Sequence, residues 1–324
     1  MLTIVMYHYV RNLKHSRFPE IKGLSIDLFR EQIEFIMKHY TVVTMEEVIE
    51  AIENSKHELP NNAILLTFDD GYIDHYTNVF PILNDKNIQG SFFSPAKVVM
   101  ENKVLDVNKV HFILASVTDK NLIVQSILSM VDKYRQRYSL EEDEYYLRKY
   151  AQKNRFDTKE VIFIKRMLQM GLPEELRGII VDYLFNNYVT KDEKVFAKEL
   201  YMNLDQIKCM NRLGMFFGSH TYEHYWLNTL EKEKQEEEID KSIKFLKEIG
   251  CNLDKWVMCY PYGGYDSSLL DILQYRGCKL GLTTKVDIAN LQVDNPLTLP
   301  RLDTNDIPKS KNAKHNKWTQ IIME

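Results

Sequence analysis

Three short stretches of this chain carry residue types that can do chemistry together. "LLTFDDGY" at 65–72 places two adjacent carboxylates, Asp69 and Asp70, where an apolar run stops and a glycine follows. "SHTYEH" at 219–224 sets His220 and His224 four residues apart, so both imidazoles share one face if that turn is helical, and they can then share a metal. "YPYGGYD" at 260–266 closes a further apolar run, and the first run of the chain reaches His8. Taken singly, a DDG triplet more often marks a turn, and an isolated HxxxH is often coincidence. The zincin pattern HExxH is not met, because Glu223 sits immediately before the second histidine. Taken together, two imidazoles and a carboxylate form the three-ligand open set of a catalytic divalent metal, with one position left for water. That chemistry explains a pair of acids: one serves as ligand, and the other, not held by the metal, takes the proton of the water. Adjacent residues on an extended strand point to opposite sides, but at a strand end running into a glycine turn both reach the same place.

Something must bring these stretches together. Apolar or β-branched runs at 2–9, 63–68, 90–94, 215–219, 256–260, 280–284 and 297–302 read as about seven strands. Between them lie amphipathic helices. "SIDLFREQIEFIMKH" from Ser25 repeats Leu28, Phe29, Ile33, Ile36 and Met37 at helical spacing, and Thr44 with Glu47 forms a capping box. The charge run from 229 reads as the solvated face of a helix that buries Ile239, Ile243, Leu246 and Ile249. Strands alternating with helices imply a parallel sheet, either closed or doubly wound. In a closed parallel sheet all C-terminal strand ends meet on one face, so His8, Asp69, Asp70, His220, His224 and the PYG turn converge.

The rhythm breaks between 104 and 211, where the patterns are almost wholly helical. This segment reads as an insertion of roughly 100 residues into a loop, either a cap over the site or a plain buttress. The basic tail at 309–324 is expected to be mobile.

Composition narrows the classes. The chain has 324 residues, 44% of them hydrophobic, and 42 basic against 46 acidic residues give a net charge of −4, so no field favours nucleic acid. The four cysteines form no CxxC pair, which fits reduced thiols in a reducing compartment. The first apolar stretch is too short for a leader or a membrane span, so a cytoplasmic chain with no integral membrane segment is expected. The sequence indicates no oligomeric state.

"TFDDGY", "SHTYEH" and "YPYGGYD", in this order, resemble the first three motifs of the NodB-homology polysaccharide deacetylases, carbohydrate esterase family 4. The resemblance covers residues 1–103 and 212–308. It implies a deformed (β/α) barrel of the α/β class that removes N-acetyl groups from a sugar or glycan precursor with a divalent metal, commonly zinc, with cobalt or nickel as alternatives. By motif position, Asp69 is the expected general base, Asp70, His220 and His224 the metal ligands, and the Tyr262 backbone N–H an oxyanion donor. The family often has an arginine before the proline of the third motif. "VMCYPYGG" has none, and Arg301 in "LPRLD" is the candidate substitute, or else an ordinary rim ion pair. The late Leu-x-His motif that supplies the general acid is also missing. His8 in "MYHYV" resembles the N-terminal acid histidine of the poly-N-acetylglucosamine deacetylase branch, or is a structural residue of the strand end. Histidines 15, 39, 57, 75 and 111 are expected at the surface. Tyr72, Tyr222, Pro261 and Tyr265 are the candidate substrate-contacting residues, and Tyr225 and Trp226 also flank the motifs; sugar stacking and barrel packing would each account for them. Two other readings keep the sequence and change the activity: hydrolysis of another C–N amide bond on the same barrel, or a silent scaffold.

Overall fold

The strand ends do meet. The computed structural model describes residues 1–54, 56–153 and 157–323. Its strands are β1 (Thr3–Tyr7), β2 (Val10–Arg11), β3 (Leu24–Ser25), β4 (Thr41–Val42), β5 (Ala63–Asp69), β6 (Ser91–Ser94), β7 (Phe216–Ser219), β8 (Val257–Cys259), β9 (Leu280–Leu282) and β10 (Leu302–Asp303). They pair in the order β10-β1-β5-β6-β7-β8-β9, with β4 beside the start of β5 and with β2 and β3 as a separate ribbon. The pairings are parallel. Each of the seven apolar runs supplies one strand of this order. The short β2, β3 and β4, two residues each, carry no run long enough to read in sequence.

The sheet curls until its outer strands are joined by one segment. Leu299 N–H donates to Gly281 O on the β9 side at 2.8 Å, and three residues later Leu302 pairs with Val5 of β1. This closure makes the expected deformed barrel of parallel strands. β5, β6 and β7 are buried along their whole lengths, which is why they read as continuous apolar runs and not as alternating ones. On the helix-covered face a ladder of rings crosses four strands, Tyr7 on Phe68 at 4.9 Å, Phe68 on Phe92 at 4.8 Å and Phe92 on Phe217 at 5.5 Å. Such pairs contribute about 0.5–1.5 kcal/mol each beyond their burial. The other face gathers Ile4, Leu65, Phe93, Val257 and Leu282.

Ser25 caps the helix Ile26–His39 through its Oγ, and the Thr44–Glu47 box is formed in both directions. Phe29, Ile33, Phe35 and Ile36 fill the buried stripe of the first helix. Leu28 and Met37, expected on that stripe, are exposed at its edges. Residues 232–248 form the helix behind the charge run, with Ile239 and Leu246 buried.

The chain divides into two compact units. One comprises 1–12, 22–103 and 197–324, and the other 13–21 and 104–196. The second unit is helical and is centred on rings, Phe112 meeting Phe18 at 4.9 Å and Phe196 at 4.8 Å. The boundary near 211 moves because the helix Leu204–Arg212 buries Ile207 and Met210 in the core of the first unit, and Met202 N–H donates to Gly71 O. The basic tail is not loose either: 317–323 is helical, Tyr40 OH donates to Thr319 Oγ1 at 3.0 Å, and Ile322 is buried. All four cysteines are free, with Cys259 and Cys278 buried. Among the described residues, no helix is long and apolar enough to cross a membrane.

Candidate active site

β5 ends on Asp69, and the chain then turns through two left-handed residues, Asp70 at φ 72° and Gly71 at φ 70°. A Cβ on Gly71 would lie 2.2 Å from Ser94 Oγ, so the turn tolerates no side chain there. Asp is among the few other residue types that adopt the left-handed region at modest cost. This turn answers how two neighbouring acids reach one site.

Asp69 faces the barrel interior and meets Arg301, which lies on the closing segment and is 1% exposed. Arg301 Nη1 donates to Asp69 Oδ1 at 3.0 Å and Nη2 to Oδ2 at 2.8 Å. Its Nε donates to Thr283 O at 2.8 Å and Nη1 also to Thr67 Oγ1 at 3.1 Å, so the fork is fixed at both ends. Burial alone would raise the Asp69 carboxyl, but the Arg301 guanidinium outweighs it and holds the group at about 2. Cys259 Sγ–H adds a weak donor to Oδ1 at 3.4 Å.

His220 follows directly on β7, and its Nδ1 lies 2.8 Å from the Cys259 carbonyl. A carbonyl only accepts, so Nδ1 carries a proton and Nε2 is the nitrogen that faces the site. The segment to His224 is not helical. Thr221 at φ 64° and His224 at φ 62° bend it, and the two rings converge to 4.9 Å by that route. Glu238 ties the bend to the helix behind it: Tyr222 N–H and Glu223 N–H both donate to Glu238 Oε2, at 3.1 and 2.8 Å, and within the bend His224 N–H donates to Thr221 Oγ1 at 2.9 Å. Asp70 Oδ1 lies 3.4 Å from His220 Nε2 and 3.3 Å from His224 Nε2. Burial would raise the Asp70 carboxyl, yet the facing imidazoles pull it well below the usual carboxylate range; the same burial holds the His224 imidazole down.

These residues fit a divalent cation. Their ligand atoms lie within 4.8 Å of one another, and Asp70 Oδ1 is buried with no hydrogen-bond partner. Among the described residues, Asp69, His220 and Cys259 form an overlapping group. It is the poorer candidate, because both oxygens of Asp69 are taken by Arg301 and His220 Nδ1 by the Cys259 carbonyl.

His8, half-buried just beyond β1, is close enough to both carboxylates to lower each. Its carbonyl lies 3.0 Å from His75 Nε2. His75 is therefore not a surface residue: it is fully buried, and burial pushes its imidazole down to about 4. Tyr262 takes φ 57° in the turn Pro261–Gly263, its ring 4.8 Å from that of His224. Four non-glycine residues with positive φ, Asp70, Thr221, His224 and Tyr262, thus surround one site, and such strained residues cluster where structure is held for function.

The candidate sugar contacts divide. Tyr72 is fully buried, and its hydroxyl donates to Asp70 Oδ2 at 2.5 Å, so it offers no face to a sugar. Pro261 is buried at the head of its turn. Tyr222 donates to Glu101 Oε1 at 2.6 Å, and Lys241 Nζ stands 5.0 Å over its ring. Tyr225 donates to Glu223 Oε2 at 2.9 Å. Tyr265 and Trp226 are each 39% exposed, with Trp226 stacked on Tyr262 at 4.6 Å. The contributions of Glu238, Cys259 and the Tyr72 hydroxyl are absent from the sequence reading.

A parallel barrel with a strand-end carboxylate pair and a two-histidine turn defines a class of hydrolase. The model of the polysaccharide deacetylase family matches residues 56–126 and 184–281, more than half of the chain, and the chain belongs to this family. The family generally depends on a divalent metal, and the cluster at Asp70 gives one a place. Among curated relatives, the poly-beta-1,6-N-acetyl-D-glucosamine N-deacetylase of Escherichia coli K12 is 46% identical over 69 residues, 21% of this chain but only 10% of that protein. Among solved structures, the Streptococcus pyogenes deacetylase PplD, in complex with acetate, superposes with a TM-score of 0.57 at 20% identity, covering 93% of this chain and 91% of that one. IcaB from Ammonifex degensii superposes with a TM-score of 0.57 at 18% identity, covering 99% of this chain and 95% of that one. At these identities the structural likeness speaks for the fold.

Proposed function

We propose that this chain hydrolyses the N-acetyl group of a carbohydrate, releasing acetate and a free amine, with zinc as its metal. The reading is carried by one observation: the Asp69–Arg301 pair and the Asp70, His220 and His224 set stand together at the ends of β5 and β7 in a polysaccharide deacetylase family chain. Two imidazole nitrogens and a carboxylate oxygen suit zinc and leave it an open position. When bound, such an ion supplies a Lewis acid that polarises a carbonyl and acidifies water.

The chain's own residues do the rest. Arg301 holds Asp69 ionised and in one orientation, so that a carboxylate oxygen is ready to accept a proton. A carboxylate this depressed is a weak base and takes protons only from an acidified donor, which is why base and ligand site must adjoin. Tyr262, whose ring lies against that of His224, is the residue whose main-chain N–H would meet the oxygen of the acetyl carbonyl as charge develops on it. His8, next to both carboxylates, gives a proton to the leaving nitrogen. Trp226 and Tyr265 offer exposed aromatic faces to the sugar.

The test is acetate release from β-1,6-linked N-acetylglucosamine oligomers and from UDP-N-acetylglucosamine, with metal-stripped protein, zinc added back, and Asp69→Asn as control. Zinc-dependent release lost in the variant supports the reading and sorts polymer from nucleotide sugar. Protein that binds zinc tightly yet releases no acetate from any acetylated sugar overturns it.

A further inference from the structure

We propose that Tyr72 makes Asp70 a one-oxygen ligand, its phenol occupying Oδ2 so that Oδ1 alone is offered to the metal. The inference rests on the reading of Asp70, His220 and His224 as the metal set. Tyr72 follows Asp70 by two residues, and the left-handed turn at Asp70 and Gly71 folds it back so that its hydroxyl donates to Oδ2 at 2.5 Å. The two oxygens of one carboxylate therefore live in different surroundings. Oδ2 accepts a short, charge-assisted hydrogen bond, whereas Oδ1 has no hydrogen-bond partner and stands nearly equidistant from the two Nε2 atoms, at 3.4 and 3.3 Å.

The phenol has little freedom to leave. Tyr72 is fully buried, Tyr9 stacks on it at 4.0 Å, and the Arg11 guanidinium covers Tyr9 at 4.5 Å. Its backbone bridges that of Tyr201. A carboxylate with both oxygens unoccupied can bind an ion through either one or two; with Oδ2 held, the second mode is closed and the coordination place it would fill stays open for water or substrate. Tyr72 is in this sense a positioning residue, acting through Asp70.

Tyr72→Phe keeps the ring stack and removes only the hydroxyl. Zinc affinity is measured by chelator competition on the full chain, and the cobalt-loaded protein is read by its visible absorption, which reports coordination number. Tyr7→Phe and Asp70→Asn are run beside it. The expected result is that Tyr72→Phe weakens zinc binding by about tenfold or more and dims the cobalt bands as Oδ2 joins the ion. Tyr7→Phe, which loses a buried hydroxyl that has no hydrogen-bond partner, stays near the parent. Unchanged affinity and bands in Tyr72→Phe, while Asp70→Asn loses the metal, overturn the inference and spare the site; an equal loss in Tyr7→Phe overturns it as a packing effect. Asp70→Asn retaining full affinity removes the metal reading itself, and the inference with it.

Discussion

Arg301 grips Asp69 with both arms of its guanidinium, at 3.0 and 2.8 Å, across 232 positions of sequence. Neither partner touches bulk water, and each would be an uncompensated buried charge without the other.

The pair is strongly coupled. Arg301→Ala should lower unfolding free energy in denaturant titration by about 3–5 kcal/mol. Adding Asp69→Asn should recover part of that loss, because the amide leaves no buried charge behind. Strict additivity of the two substitutions would mean the pair contributes nothing as a pair.

Acid should expose the same coupling. Asp69 has a depressed folded pKa, about 2 against an ordinary 3.8, so its stabilisation is present above pH 4 and is lost as pH falls toward 2. In pH-dependent melting, the acid limb of Arg301→Ala should be flatter than that of the parent. Identical limbs would mean that Asp69 does not sense Arg301.

Glu238 shifts the opposite way. Burial first of all, reinforced by the Glu223 charge, raises its carboxyl, although two backbone N–H groups pull it down. A raised folded pKa contributes stability that is full below the ordinary 4.5 and lost as pH rises through the raised value. Glu238→Gln keeps an oxygen for both N–H donors and removes the titration, so its melting temperature should fall less than the parent's as pH rises from 5. Glu238→Ala should cost about 1–3 kcal/mol per orphaned N–H and weaken zinc binding, since the histidine bend loses its anchor.

Zinc should stabilise the folded chain by mass action, about 2.7 kcal/mol at a hundredfold excess over its dissociation constant. His224→Ala should abolish this gain in a thermal-shift titration. A persisting gain would place the ion elsewhere.

Two glycines should respond in opposite directions to alanine. At Gly71 the left-handed backbone and Ser94 Oγ at 2.2 Å leave no room, and loss of stability should accompany loss of metal affinity. At Gly178, inside the helix Glu174–Tyr188 with nothing within 4 Å, alanine should stabilise by about 1 kcal/mol. Equal effects at the two sites would refute the steric account of the Asp70 turn.

What was legible in the sequence were polar residues standing at the ends of apolar runs: Asp69 after "AILLTF", His220 after "MFFGS" and Arg301 in "LPRLD". Parallel pairing turns that one-dimensional pattern into convergence. Residues whose work depends on depth were not legible. For Tyr72 the sequence leaves sugar stacking and barrel packing equally open, because ring type is visible in it and burial is not. Nothing in the sequence around His75 signals that it lies beneath His8. Glu238 stands within a charge run, yet Gln235, Glu238 and Ser242 are buried on the same helix face as Ile239 and Leu246. Their helical phase was the available signal, masked by the polarity of their neighbours. Whether His220–His224 makes a helical turn is not legible, because spacing cannot report the positive φ of Thr221 and His224.

The segment that closes the barrel has a consequence for the order in which the protein is made. Leu299 ties to β9 and Leu302 to β1, with Arg301 between them. A nascent chain emerging from the ribosome can therefore assemble its first strands and both acids long before their counter-ion has been synthesised. Until then Asp69 must stay hydrated or protonated, and the barrel interior cannot dry around it. Pairing of β10 with β1 is thus also the event that seals the barrel and brings Asp69 its counter-ion.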